Sequence, residues 1–180
     1  MNMPTVIITN RLHLRPFQIG DADDVLEYAS DTEYGKYEVK VPQPFTLNDA
    51  REFVARFSNP QQLEEIKMLA MVLGNKVIGQ VYLNLLDPEN ERAELAWMLS
   101  KALWGQGFTT EAAKAILDWG FQNLKLNKIY ARCDFRNVRS VRVMEKLGMK
   151  REGLLRCNSK WLGQYIDELY YGILRREWEK

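Results

Sequence analysis

The chain has 180 residues, 46% of them hydrophobic and 27% charged, which suits one globular domain with a sizeable core. Its 25 basic and 24 acidic side chains leave a net charge of only +1, so neither a nucleic-acid groove nor a membrane-binding surface is expected. No apolar run is long enough to span a bilayer, and Met1 to Asn10 lacks the charged and small-residue signals of a secretory leader. The expected location is cytoplasmic. Cys133 and Cys157, with the single histidine His13, offer no metal-ligand spacing, and both thiols are expected reduced, Cys133 within a core alternation.

Taken in chain order, Leu12 to Pro16 alternates like a strand and stops at its proline, and Gly20 to Asp24 starts an acidic helix running to about Ser30. Glu33 to Pro44 reads as loop. Ala50, Phe53, Val54 and Phe57 recur at helical spacing over Thr46 to Phe57. Three strands follow, Met68 to Leu73, Val77 to Leu85 and Ala93 to Leu99. A tight turn at Gly74-Asn75 and a looser one at Asp87 to Asn90 join them. Thr110 to Leu124 carries the stripe Ala113, Ile116, Leu117, Gly120, Phe121 and Leu124, a helix packed on a sheet. Lys128 to Phe135 is a strand with Ile129, Ala131, Cys133 and Phe135 on one face. Asn137 caps a further helix that stops at Gly148, and Lys150 to Leu155 and Tyr165 to Leu174 close the chain as strands. An antiparallel meander followed by strand, helix, strand, helix, strand is the predicted order.

Between the third strand of the meander and its helix lies Trp104-Gly105-Gln106-Gly107-Phe108-Thr109-Thr110. Glycine admits positive φ and close approach of a ligand, while the unpaired amides of a first helical turn attract anionic oxygens. The segment therefore suits a diphosphate. It matches neither a nucleotide-hydrolysing loop, since no Lys-Ser or Lys-Thr follows, nor a dinucleotide fingerprint, since Thr110 stands where the third glycine would be.

Together with Asn137, Ser140 and Glu145-Lys146-Leu147-Gly148-Met149, this loop resembles the GNAT superfamily of acetyl-CoA-dependent N-acetyltransferases. The strand Arg11 to Pro16, the strand Ala93 to Leu99 and the ending Tyr165 to Leu174 are similar to the branch that acetylates the N-terminal alanine or serine of ribosomal proteins. The resemblance spans nearly the whole chain. It implies a single α/β domain of the α+β type over residues 1–180, the GNAT fold, with a mixed, mostly antiparallel sheet of about six to seven strands and helices on both faces. It also implies acetyl-CoA as cosubstrate, no metal, and a primary amine as acceptor, either a small molecule or a protein N-terminus. The chain would act as a monomer or homodimer.

By the same resemblance, Trp104, Gly105, Gln106, Gly107, Phe108, Thr109 and Thr110 would hold the pyrophosphate. Trp104 stands at a place the superfamily gives to Arg or Gln, and Thr109 at one it gives to Gly or Ala. Trp104 also suits a core or rim position. Backbone groups of Trp97, Met98 and Leu99 would pair with the pantetheine arm, and Asn137 would hold it, although Asn137 is equally a simple N-cap. Lys146, with Arg139 and Arg142, would meet the adenosine phosphates or form a solvated face.

For catalysis, Glu94 in Ala-Glu-Leu looks like the strand glutamate that serves as base elsewhere in the superfamily, where partial desolvation favours proton uptake. An exposed glutamate paired with Arg92 is the other reading. Where many members carry an acidic tyrosine, this chain has Met144, which leaves Ser140 to assist thiolate departure. The glutamate base of the ribosomal-protein branch falls at Ser159. A CoA-binding module without turnover is the alternative function. The acceptor pocket is expected from Glu33 to Phe45 and Arg156 to Gln164, including Trp161.

Overall fold

A computed structural model describes residues 6–31, 42, 44–59, 65–87, 89–161 and 163–179. The strands are β1 (Ile7–Ile8), β2 (His13–Arg15), β3 (Ile66–Leu73), β4 (Lys76–Asp87), β5 (Arg92–Leu99), β6 (Lys128–Asp134), β7 (Lys150–Trp161) and β8 (Gln164–Leu174). The helices are α1 (Ala22–Ala29), α2 (Leu47–Phe57), α3 (Phe108–Asn123), α4 (Val138–Lys146) and the short α5 (Arg175–Trp178). The described strands form one sheet in the order β1-β2-β3-β4-β5-β6-β8-β7. All neighbours pair antiparallel except β5 and β6. The expected fold class is the one observed. The strand beyond the expected number is β1, whose two residues are too short to show alternation.

Alternation along the central strands explains why the sheet is covered on both sides. On β3, Leu69 and Met71 enter one apolar cluster, while Met68, Ala70 and Val72 enter a second. The first cluster lies under α3, which contributes Phe108, Ala112, Ala113, Ile116, Leu117 and Phe121, and under Met144 of α4. The second is closed by Val25 and Tyr28 of α1 and Ala50, Val54 and Phe57 of α2. A parallel pair needs a crossover connection, and α3 is that connection between β5 and β6.

Local chemistry sets the helix starts. Thr46 and Asp49 form a reciprocal capping box on α2, and Asn137 caps α4 through a 3.2 Å bond from the Ser140 amide. α3 begins two residues earlier than its apolar stripe suggests, because Gly107, at φ 84°, turns the chain directly into Phe108. Phe135 falls beyond the end of β6 at Asp134 and is half exposed, rather than continuing the buried face. β7 runs on past Leu155 through a bulge, since four steps along β7 from Leu155 to Ser159 match two along β8 from Glu168 to Ile166.

Gly79 on β4 faces Leu99 on β5 so closely that a Cβ would lie 2.2 Å from the Met98 carbonyl oxygen. That contact is backbone and has no side chain to swing away. Gly79→Ala is therefore expected to cost about 1–3 kcal/mol, the range for overpacking, read as a lowered urea midpoint at unchanged slope.

Candidate active site

β5 and β6 pair at only three positions, Arg92 with Lys128, Ala93 with Ile129 and Glu94 with Tyr130, and then separate. β5 stays bonded to β4 as far as Leu99, and β6 to β8 as far as Asp134. A wedge thus opens between two strand edges immediately beyond Glu94. The Ser100 amide donates to Ile78 at 2.8 Å, so alternation turns the peptide groups of Ala96 and Met98 to β4 and those of Trp97 and Leu99 into the wedge. Met98 instead packs its side chain against the second cluster, where its sulfur takes the Gln80 amide at 3.5 Å.

The wedge leads to the glycine loop. Gly105 and Gly107 have φ of 80° and 84°, and among the described residues no acceptor meets the amides of Gln106 to Thr110. Those of Phe108 to Thr110 open the first turn of a 16-residue helix, where the helix dipole also favours an anion. The Trp104 indole N–H donates to the Leu99 carbonyl at 2.9 Å, which joins loop to strand, and Arg139 of α4 lies 4.4 Å over its ring. Trp104 is half-buried against the core, so its rim position is also structural.

The N-terminal segment fastens this loop in a way that sequence reasoning missed. Glu111, in the first turn of α3, accepts from the Thr9 hydroxyl at 2.7 Å, the Arg11 amide at 2.7 Å and Arg11 Nε at 2.7 Å. Arg11 Nη1 also donates to the Gln106 carbonyl at 2.9 Å, and its guanidinium covers the Phe108 ring at 4.2 Å. Burial alone would raise the Glu111 pKa, but the bonds from Thr9 and Arg11 and the arginine charge outweigh it and hold the carboxyl below the usual range. An acid in a helical first turn was the available signal; its partners about a hundred positions away were not.

At the head of α4, Asn137 Oδ1 serves as the cap, while its side-chain NH2 meets no acceptor among the described residues. Ser140 is half-buried one turn in. Arg139, Arg142 and Lys146 form one exposed stripe, with Lys146 two turns, roughly 10 Å, beyond Arg139. Met144 is fully buried in the first cluster.

Beside the wedge, the sheet face next to the second cluster turns polar. Glu94 does not pair with Arg92, which binds Asp87 at 2.6 Å; it accepts from Arg132 Nε at 2.8 Å through Oε1 alone. Arg132 Nη1 also reaches both oxygens of Glu168 at 3.0 Å. Burial opposes the charge on Arg132, but the two carboxylates more than compensate and raise its pKa. Tyr130 and Tyr170 stack at 6.1 Å, and the Tyr130 phenol is held above its ordinary pKa by burial and then by the charge of Glu94. Ser159 lies opposite Ile166 on the same face, its hydroxyl buried without a partner among the described residues. Cys133 points to the other face, where burial and the charges of Asp134 and Glu168 push its thiol up to about 12. Most of Glu33 to Phe45 and the side chain of Trp161 lie outside the described residues.

Known proteins resemble this chain over most of its length. The family model for the acetyltransferase (GNAT) domain matches residues 11–150. The uncharacterized N-acetyltransferase p20 of Bacillus licheniformis is 34% identical over 175 residues, 96% of this chain and 97% of that protein. A GNAT-family acetyltransferase structure from Bacillus anthracis agrees with a TM-score of 0.85 at 33% identity, covering 96% of this chain and 99% of that one. The spermidine N(1)-acetyltransferase of Escherichia coli (strain K12) is 32% identical over 100 residues, 56% of this chain and 54% of that protein.

The Glu111 carboxylate gives a pH test of the loop fastening. Its folded-state pKa lies below that of free glutamate, so its contribution is whole above about pH 4.3 and fades as pH falls through the folded value. Glu111→Gln is expected to unfold at lower urea than the parent near neutral pH. The gap between the two midpoints should narrow as pH falls below the free-glutamate range and the parent's carboxylate protonates.

Proposed function

The chain belongs to the GNAT acetyltransferase family, and we propose that it transfers the acetyl group of acetyl-CoA directly to a primary amine held on the polar face beside Glu94. The observation that carries this reading is the end of the β5 and β6 pairing at Glu94 and Tyr130, in line with the free amides of Gln106 to Thr110. A thioester arm entering between the strands finds the peptide groups of Trp97 and the amide of Leu99 open, the Leu99 carbonyl being taken by Trp104, and its diphosphate finds the start of α3. Arg139 lies over Trp104 at the start of that loop, and Arg142 and Lys146 continue the positive stripe towards an adenosine phosphate.

In the proposed step the amine nitrogen attacks the acetyl carbonyl carbon, the carbon–sulfur bond breaks, and the thiolate leaves. Glu94 takes the ammonium proton on Oε2, the oxygen that Arg132 leaves open. The Ser140 hydroxyl donates to the departing sulfur, since Met144 supplies no phenol in this helix. Acceptors divide into protein N-termini and small amines. The match to a spermidine acetyltransferase and the two carboxylates on this face favour a small cationic amine.

Two substitutions test the donor and acceptor halves separately. Asn137→Asp retains an oxygen for the cap but removes the NH2 donor, so helix stability should hold while acetyl-CoA binding weakens about tenfold, as for one lost hydrogen bond. Calorimetric titration that finds the affinity unchanged assigns Asn137 to the cap alone. Glu94→Gln should lower kcat by roughly 10²–10⁴-fold in a thiol-release assay over a panel of amines and peptides, with little change in acetyl-CoA affinity. A parent protein that is stabilised by acetyl-CoA yet releases no thiol with any member of that panel would make it a binding module instead.

A further inference from the structure

The polar face holds a second carboxylate, Glu168, that takes no part in the proposed proton transfer. Glu168 on β8 is only 6% exposed, and a buried carboxylate is costly unless it is paired. Both its oxygens lie 3.0 Å from Arg132 Nη1, and Oε2 also accepts from the Asn158 amide. Arg132 in turn spends its Nε on Glu94 Oε1. One guanidinium thus ties carboxylates on β5 and β8 together across β6, and the three groups carry a net charge of −1.

The β7 bulge is built around this contact. Cys157 takes φ 51°, a strained value for a residue other than glycine, and its amide is held at 2.8 Å by the Asp167 carboxylate. That turn brings Asn158 to Glu168 and, at 3.2 Å, to the Tyr170 hydroxyl. Glu168 is therefore fixed from two sides, by Arg132 and by Asn158, and so fixes the guanidinium in turn.

We propose that Glu168 is a positioning residue for acetyl transfer, acting through Arg132: by holding Nη1 it presents Nε to one oxygen of Glu94 and keeps the other oxygen turned to the acceptor. Without it, the guanidinium is free to rotate and take both Glu94 oxygens in a bidentate pair, which removes the oxygen that receives the proton. This rests on Glu94 as the base.

The test is a mutant cycle in thiol release with an amine that turns over. Glu168→Gln should lower kcat about tenfold to hundredfold, the scale of a small misplacement at a reacting group, with the KM for acetyl-CoA within about twofold of the parent. Glu168→Asp should recover part of the loss. In the Glu94→Gln background, Glu168→Gln should add nothing, because the residue acts only through Glu94. Full kcat in folded Glu168→Gln, or an equal further loss in the double variant, overturns the proposal while leaving Glu94 as base. Glu94→Gln at full rate overturns both. Asn158 is exposed, so Asn158→Ala gives the same reading where Glu168→Gln does not fold. A several-fold lower kcat supports the proposal and an unchanged one overturns it.

Discussion

The separation of β5 from β6 after three paired positions is the constraint on which the rest of the molecule depends. Both strands are held on their far sides, β5 by β4 and β6 by β8, so neither can bend across to close the wedge. The crossover helix α3 packs on β4 and β5 and holds that side of the wedge in place. Peptide groups left open in this way cost about 1–3 kcal/mol each if they are buried unsatisfied. The Leu99 carbonyl avoids this by accepting the Trp104 indole N–H, and a ligand with amides of its own can meet the groups that remain.

The same connection settles where negative charge is welcome. α3 follows β5 by way of the glycine loop, so its first amides lie on the connection that leaves the wedge. The Thr9, Arg11 and Glu111 contacts then tie this helix start to the beginning of the chain. Glu111 satisfies the dipole from the side of the helix and leaves the axial amides free for an anion. The loop is thus rigid without using up the donors that make it useful.

The two faces of the sheet divide the remaining work. One is apolar from β3 to β8 and lies under α3 and α4. The other is apolar only where α1 and α2 cover it, and beyond β4 it carries Glu94, Tyr130, Arg132, Glu168 and Tyr170 in register. Buried charges there are paired and hydrogen-bonded, which is the condition under which they persist. Chemistry that needs a carboxylate beside a thioester has this face on one side and the strand edges on the other.

Local pattern was enough to determine the elements and one half of the site. Apolar, β-rich runs placed β3 to β5, alternation placed β6, helical spacing placed α2 and α3, and a cap and a glycine stop placed α4. The glycines of the loop and the cap at Asn137 were legible because positive φ and helix capping are properties of a residue and its near neighbours. What only tertiary structure decided are the partnerships across long separations: Arg132 rather than Arg92 on Glu94, Arg11 on Glu111, and Asn158 turned onto Glu168 by a bulge that no alternation announces. Ion pairs have no period and no fixed spacing along a chain. They are chosen by which strands lie side by side and by which oxygens remain once the sheet has formed.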